Sequence, residues 1–92
     1  MGVTWDPRKA KTNFRDHGIL FSVDLDSVLT DPYSLTVPDD ESEPNERRWY
    51  TLGMDSAARI LVIVYTWRGD DLRLISARPA TPSERKDYER NL

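Results

Sequence analysis

At 92 residues the chain has the length of one small domain, read here as a single unit over 1–92. Charged residues make up 32% and apolar ones 38%, which suits a globular fold with a modest core and excludes disordered and helical membrane classes. There is no cysteine, so disulfides, thiolate catalysis and cysteine-bound zinc are excluded, and one histidine leaves no histidine-based metal site.

The net charge of −3 argues at face value against nucleic acid. Its distribution changes the reading. Asp39, Asp40, Glu41, Glu43 and Glu46 lie in one acidic loop at about 38–46; without them eleven acids face thirteen bases. A basic face beside an acidic loop is therefore compatible with the composition. The longest apolar run, 60–65, is too short to span a bilayer, so no membrane partner is expected. The first residues show no basic segment followed by an apolar one, and a cytoplasmic location is expected.

In chain order, a very short strand at 3–5 precedes a helix at about 7–17. Asp6 suits its N-cap, Pro7 its first position and Gly18 its left-handed stop. Ala10 and Phe14 mark its apolar stripe, and Trp5 is placed to staple against its first turn. A second helix is predicted at roughly 22–29, with Ser22 as cap and Leu25, Val28 and Leu29 at helical spacing; its β-branched content also permits a strand. Asp31-Pro32 ends it. Residues 33–37 alternate as a strand, and three more strands follow at 48–54, 59–66 and 71–78 with hairpin-length connections. The nearly all-apolar 59–66 reads as a central strand covered on both faces. Thr81-Pro82-Ser83-Glu84 is a capping box opening a C-terminal helix at about 82–90, which is charged nearly all round and has Tyr88 as its apolar anchor. The expected fold is α+β: an antiparallel sheet of about four strands, two N-terminal helices on one face, and a C-terminal helix that is loosely docked or docked by a partner.

Lys9, Asn13 and His17 recur every fourth residue on the first helix. They read either as a polar strip that holds phosphate and moves a proton, or as two solvated residues and a histidine capping the helix end. Arg48, Arg73 and Arg78 carry planar guanidinium groups suited to phosphate and to a developing phosphorane charge, or else to ordinary surface pairing with Asp70, Asp71 or Glu84. Arg73 and Arg78 point to opposite faces of a regular strand, so a bulge or bend is required for both to serve one site. Ser76 has no second histidine to support a hydrolase triad, Glu84 reads as the capping-box acid, and Trp67, near a turn, is placed to stack on a base or meet a partner. Trp5 and Trp49 read as structural.

Four blocks together carry a resemblance. Trp5-Asp6-Pro7-Arg8-Lys9 with Asn13, His17-Gly18 and Phe21 resembles the opening of the BrnT family of toxins. Arg48-Trp49-Tyr50-Thr51-Leu52-Gly53 resembles its second block and Leu61-Val62-Ile63-Val64-Tyr65-Thr66 its third. Arg73-Leu74-Ile75-Ser76-Ala77-Arg78-Pro79-Ala80-Thr81, with Glu84-Arg85 and Tyr88-Glu89, resembles the last. The resemblance implies a RelE-like fold and a ribonuclease toxin of a type II toxin–antitoxin pair, cutting RNA with no metal or other cofactor. It implies neutralisation by a BrnA-like ribbon-helix-helix antitoxin, a higher-order toxin–antitoxin complex, and contact with DNA only through that antitoxin. Carried over residue by residue, His17, Arg73, Arg78 and Lys9 are the implied catalytic positions, and Asn13, Arg48, Ser76 and Glu84 the implied substrate-binding ones. One departure stands out: the family usually has a basic residue before His-Gly, and here it is Asp16. Together with the net acidity, Asp16 motivates an alternative, a catalytically weak module that acts mainly as antitoxin partner in operon autorepression.

Overall fold

The computed structural model describes residues 2–39 and 45–92. Its elements run β1 (Val3–Thr4), α1 (Pro7–His17), α2 (Phe21–Leu29), β2 (Leu35–Pro38), β3 (Arg48–Met54), β4 (Ile60–Arg68), β5 (Asp71–Pro79) and α3 (Pro82–Arg90). The α+β expectation holds, with five strands rather than about four, in the order β1-β5-β4-β3-β2. The addition is β1, which pairs parallel with β5 through Val3↔Leu72 and Thr4↔Arg73; the other pairings are antiparallel. Of the acidic loop, residues 40–44 lie outside the described residues.

Local chemistry sets the helix ends. The Asp6 carboxylate accepts from Arg8 N–H at 2.8 Å, and Gly18 takes φ 65° while its N–H donates to the Phe14 carbonyl. α3 forms the predicted reciprocal box between Thr81 and Glu84. The start of α2 differs from expectation. It begins at Phe21 with Leu20 as N-cap, and Asp24, not Ser22, reaches back one turn to take the Leu20 N–H at 2.8 Å.

Each face of the sheet has its own core. On one, Ile19, Phe21, Leu25 and Val28 pack on Leu61, Ile63, Tyr65, Leu74 and Ala77, so α1 and α2 share this face as predicted. Val28 lies so close to β3 that a Cβ on Gly53 would stand 2.7 Å from its Cγ1 and 2.9 Å from its carbonyl oxygen. Trp5 joins this core edge-on to Phe21, with centroids 5.9 Å apart, and so packs on α2 instead of stapling α1. On the other face Tyr88 is buried against Leu52 and Val62, which docks α3 firmly rather than loosely. β4 lies between β3 and β5 and is covered on both sides, as its apolar run requires.

α1 buries a different residue from the one predicted. Phe14 is 53% exposed, and Asn13 is buried, its Nδ2 donating to the Ala77 carbonyl. β1 covers β5 only at Leu72 and Arg73, so the strand edge beyond it carries backbone groups that need partners. An amide facing that edge satisfies one of them; a phenyl ring cannot.

Candidate active site

The β5 bulge builds the candidate site. Val64 stands opposite Ser76 and Tyr65 opposite Leu74, which leaves Ile75 as the extra residue of β5. The insertion reverses the parity of everything after it. Arg73, Ser76 and Arg78 oppose Thr66, Val64 and Val62, alternate residues of β4 that share one face. Arg48 and Tyr50 oppose Thr66 and Val64 from the other side and so join the same face. Two rows result: Arg48–Thr66–Arg73 and Tyr50–Val64–Ser76. With strands about 4.8 Å apart, the outer members of each row have Cα atoms roughly 10 Å apart. This is the face α3 covers at its other end, through Leu52 and Val62.

Lys9 reaches the rows around the sheet edge. It lines a cavity of about 180 Å³ together with Arg73, Arg68, Ile75, Asp6 and Glu46. Asp6 brings a negative charge to this rim. The Arg8 N–H first, and Arg73 to a smaller degree, hold its carboxyl below the ordinary value. Glu46 pairs with Arg68 at 3.5 Å. Three cations and two carboxylates thus border one cleft, with an arginine on the sheet and a lysine on the helix facing it from different elements.

The other candidate residues take different places. Arg78 grips Glu84 through both terminal nitrogens, at 2.7 and 3.0 Å. That guanidinium, helped by the Thr81 N–H, pulls the Glu84 carboxyl down to about 2, and Glu84 in turn raises Arg78. The pair ties β5 to the start of α3. Asn13 is engaged by the Ala77 carbonyl. His17 is exposed at the end of α1, eight residues from Lys9 and so about 12 Å further along the helix axis. The carbonyls there are taken not by histidine but by Arg59, whose guanidinium reaches the oxygens of His17 and Gly18 and the carboxylates of Asp55 and Asp24. Asp16 pairs with Arg15 at 2.9 Å, so its charge is balanced within its own turn. Among the described residues no group of three or more metal-ligating side chains occurs.

Tyr50 was not among the residues singled out from sequence. Its phenol shares a face with Arg48 by simple alternation along β3, and that spacing was the available signal. Arg59 carried no such signal, because, apart from Asp55 in its own turn, its partners come from the end of α1 and from α2.

The description "ribonuclease toxin, BrnT, of type II toxin–antitoxin system" fits residues 5–84 of the chain as a family match. The chain belongs to the BrnT family. The match runs from Trp5, just after β1, to the first turn of α3 and so contains both rows, Lys9 and the bulge. Among solved structures, the crystal structure of the Brucella abortus ribonuclease toxin BrnT superposes with a TM-score of 0.68 at 24% identity, covering 88% of this chain and 97% of that one. At that identity the likeness establishes the BrnT fold. Comparison with curated proteins gives no match. Tyr88, which holds α3 in place, lies beyond the matched segment.

Proposed function

We propose that this BrnT-family chain is a metal-independent endoribonuclease toxin, working in the cytoplasm and neutralised by direct binding of a BrnA-like antitoxin. The observation that carries the proposal is the β5 bulge, which sets Arg73 beside the Lys9 cleft and on the same face as Arg48, Tyr50 and Ser76. In the proposed reaction the 2′-oxygen attacks the adjacent phosphorus and the bond to the 5′-oxygen breaks, giving a cyclic phosphate and a 5′-hydroxyl. One proton leaves the 2′-oxygen and one arrives on the leaving oxygen. Arg73 neutralises the phosphorane, and Arg48 and Ser76 hold the flanking backbone. Lys9, which shares the cleft with Arg73, is the proposed proton carrier, with His17 as the alternative at the far end of the helix strip. Arg78, Glu84 and Asn13 act as positioning residues, since each is engaged within the fold.

The test is inducible expression of the wild type beside Arg73→Ala, Lys9→Ala and His17→Ala, with and without the neighbouring antitoxin gene. Growth arrest with RNA loss is expected from the wild type, with rescue by the antitoxin and by Arg73→Ala, and whichever of the other two variants also loses activity identifies the proton carrier. Full toxicity in a folded Arg73→Ala variant overturns the site.

A second reading has its own support. Asp6 and Glu46 line the cleft and Arg78 is neutralised by Glu84, so the site is less cationic than its arginine count suggests. Under that reading the chain is mainly a partner of the antitoxin in autorepression, and harmless expression of the folded wild type is the outcome that favours it.

A further inference from the structure

We infer that the corner formed by Trp67, Arg47 and Trp49 is a stacking subsite for an unpaired nucleobase of the RNA that enters the Lys9–Arg73 cleft. The inference rests on the nuclease reading above and deepens it.

The corner exists because β3 starts late. Arg48 opposes Thr66, so Trp67 and Arg68 run past the end of β3. A cavity of about 290 Å³ opens there, lined by Arg47, Trp49, Trp67, Arg68 and Glu46 among others. Trp67 is 44% exposed, yet its ring is held edge-on to Tyr65, with centroids 6.1 Å apart at 89°. It is a half-exposed aromatic ring braced at right angles by a neighbour, which limits the entropy lost on stacking. Across the cavity the Arg47 guanidinium lies 5.6 Å from the centre of the Trp49 ring, a cation–π pair that offers a second flat, charged surface. Rings with a planar guanidinium beside them are what an unstacked base binds.

One observation ties the corner to RNA. Glu46 and Arg68 line both this cavity and the Lys9–Arg73 cleft, so the two adjoin at the end of β4, with Trp49 and Trp67 on the opposite face of the sheet from Arg48 and Arg73. An RNA strand that places its backbone in the cleft can therefore turn one base around the sheet end into the corner.

The experiment uses a fluorescent single-stranded RNA hexamer, 2′-O-methylated so that it cannot be cleaved, titrated into wild type, Trp67→Ala, Trp67→Phe and Arg47→Ala, with circular dichroism confirming that each is folded. Cleavage of an unmodified hexamer and capture of the antitoxin are measured in parallel. Trp67→Ala should weaken binding of the uncleavable RNA by roughly ten- to hundredfold, since a base–aromatic stack is of that size. Trp67→Phe should restore most of it, and Arg47→Ala should lose a few-fold. Unchanged RNA binding by folded Trp67→Ala overturns the inference, as does an absence of RNA binding by the wild type. Loss of antitoxin capture with RNA binding intact also overturns it and reassigns the corner to a protein partner. Trp67-dependent binding by a wild type that cleaves nothing supports the subsite while removing the nuclease reading.

Discussion

The two faces of the sheet are closed by different means. One is sealed by aliphatic and aromatic side chains of α2 and the preceding segment, pressed so close that Gly53 has no room for a Cβ. The other is closed at one end only, by a helix with a single buried side chain, Tyr88, and a set of polar ties. The Tyr88 hydroxyl donates to Asp31, Arg78 holds Glu84, and the Asn91 amide donates to the Tyr33 carbonyl at 2.9 Å. The contrast teaches how this small domain separates stability from function. The apolar face supplies cohesion, and the economically covered face leaves Arg48 exposed and Tyr50, Arg73 and Ser76 half-buried, with Arg73 at the cleft.

The strongest way to break the second face is Tyr88→Ala. Removing a buried ring from a core of this kind costs about 3–5 kcal/mol, and here it should release α3 before the rest unfolds. Faster amide exchange confined to α3 and the facing residues of β3 is the expected signature. Global unfolding with no separate α3 phase counts against the division into two closures. The first face is probed by Gly53→Ala, whose new methyl must displace Val28 and the α2 backbone. A loss of roughly 1–3 kcal/mol is expected, read as a lower midpoint in thermal or urea unfolding. An unchanged midpoint shows that α2 can retreat freely from β3.

The smallest effect sharpens the comparison through pH. Glu84 has its folded value at about 2, against an ordinary 4.5, so its pairing stabilises the fold above pH 4.5 and that contribution is lost as pH falls toward 2. The pair is partly exposed, and after allowing for solvent the contribution is on the order of 1 kcal/mol. Tyr88 behaves in the opposite sense. Burial first, and then the Asp31 carboxylate, raise its phenol from 10 to about 12, so its contribution is complete below pH 10 and fades as pH rises through 12. Burial alone would raise Asp31, but the Tyr88 hydroxyl and the N–H groups of Met54 and Tyr33 more than offset it and leave that carboxyl low. Glu84→Gln should flatten the acid limb of a stability–pH curve and Tyr88→Phe the alkaline limb. Limbs unchanged in these variants assign the pH dependence to other groups.

Much of this was legible in the chain. The caps at Asp6, Gly18 and Thr81–Glu84 depend on a few neighbouring residues and a backbone angle, so they could be read locally and were found. The need for a bulge between Arg73 and Arg78 followed from strand parity, though its position at Ile75 did not. Asn13, read from the sequence as either a phosphate-holding or a solvated residue, is buried with its amide donating to a strand edge, because the gap beyond β1 is visible only once the sheet is assembled. Phe14, placed in the core by helical spacing, is exposed for the same reason.

The sequence by itself determined where α1 and α3 start and stop, which strand is central, and to which family the arginines, lysine and histidine belong. Those properties rest on short-range sterics, alternation and residue chemistry, which survive without knowledge of distant partners. The tertiary structure alone decided that β1 joins beside β5, that α3 covers only part of its face, and that Lys9 rather than His17 shares a cavity with Arg73. Each of these depends on which backbone and side-chain groups remain unsatisfied after the sheet closes. That is a property of the assembled sheet, and no single segment carries it.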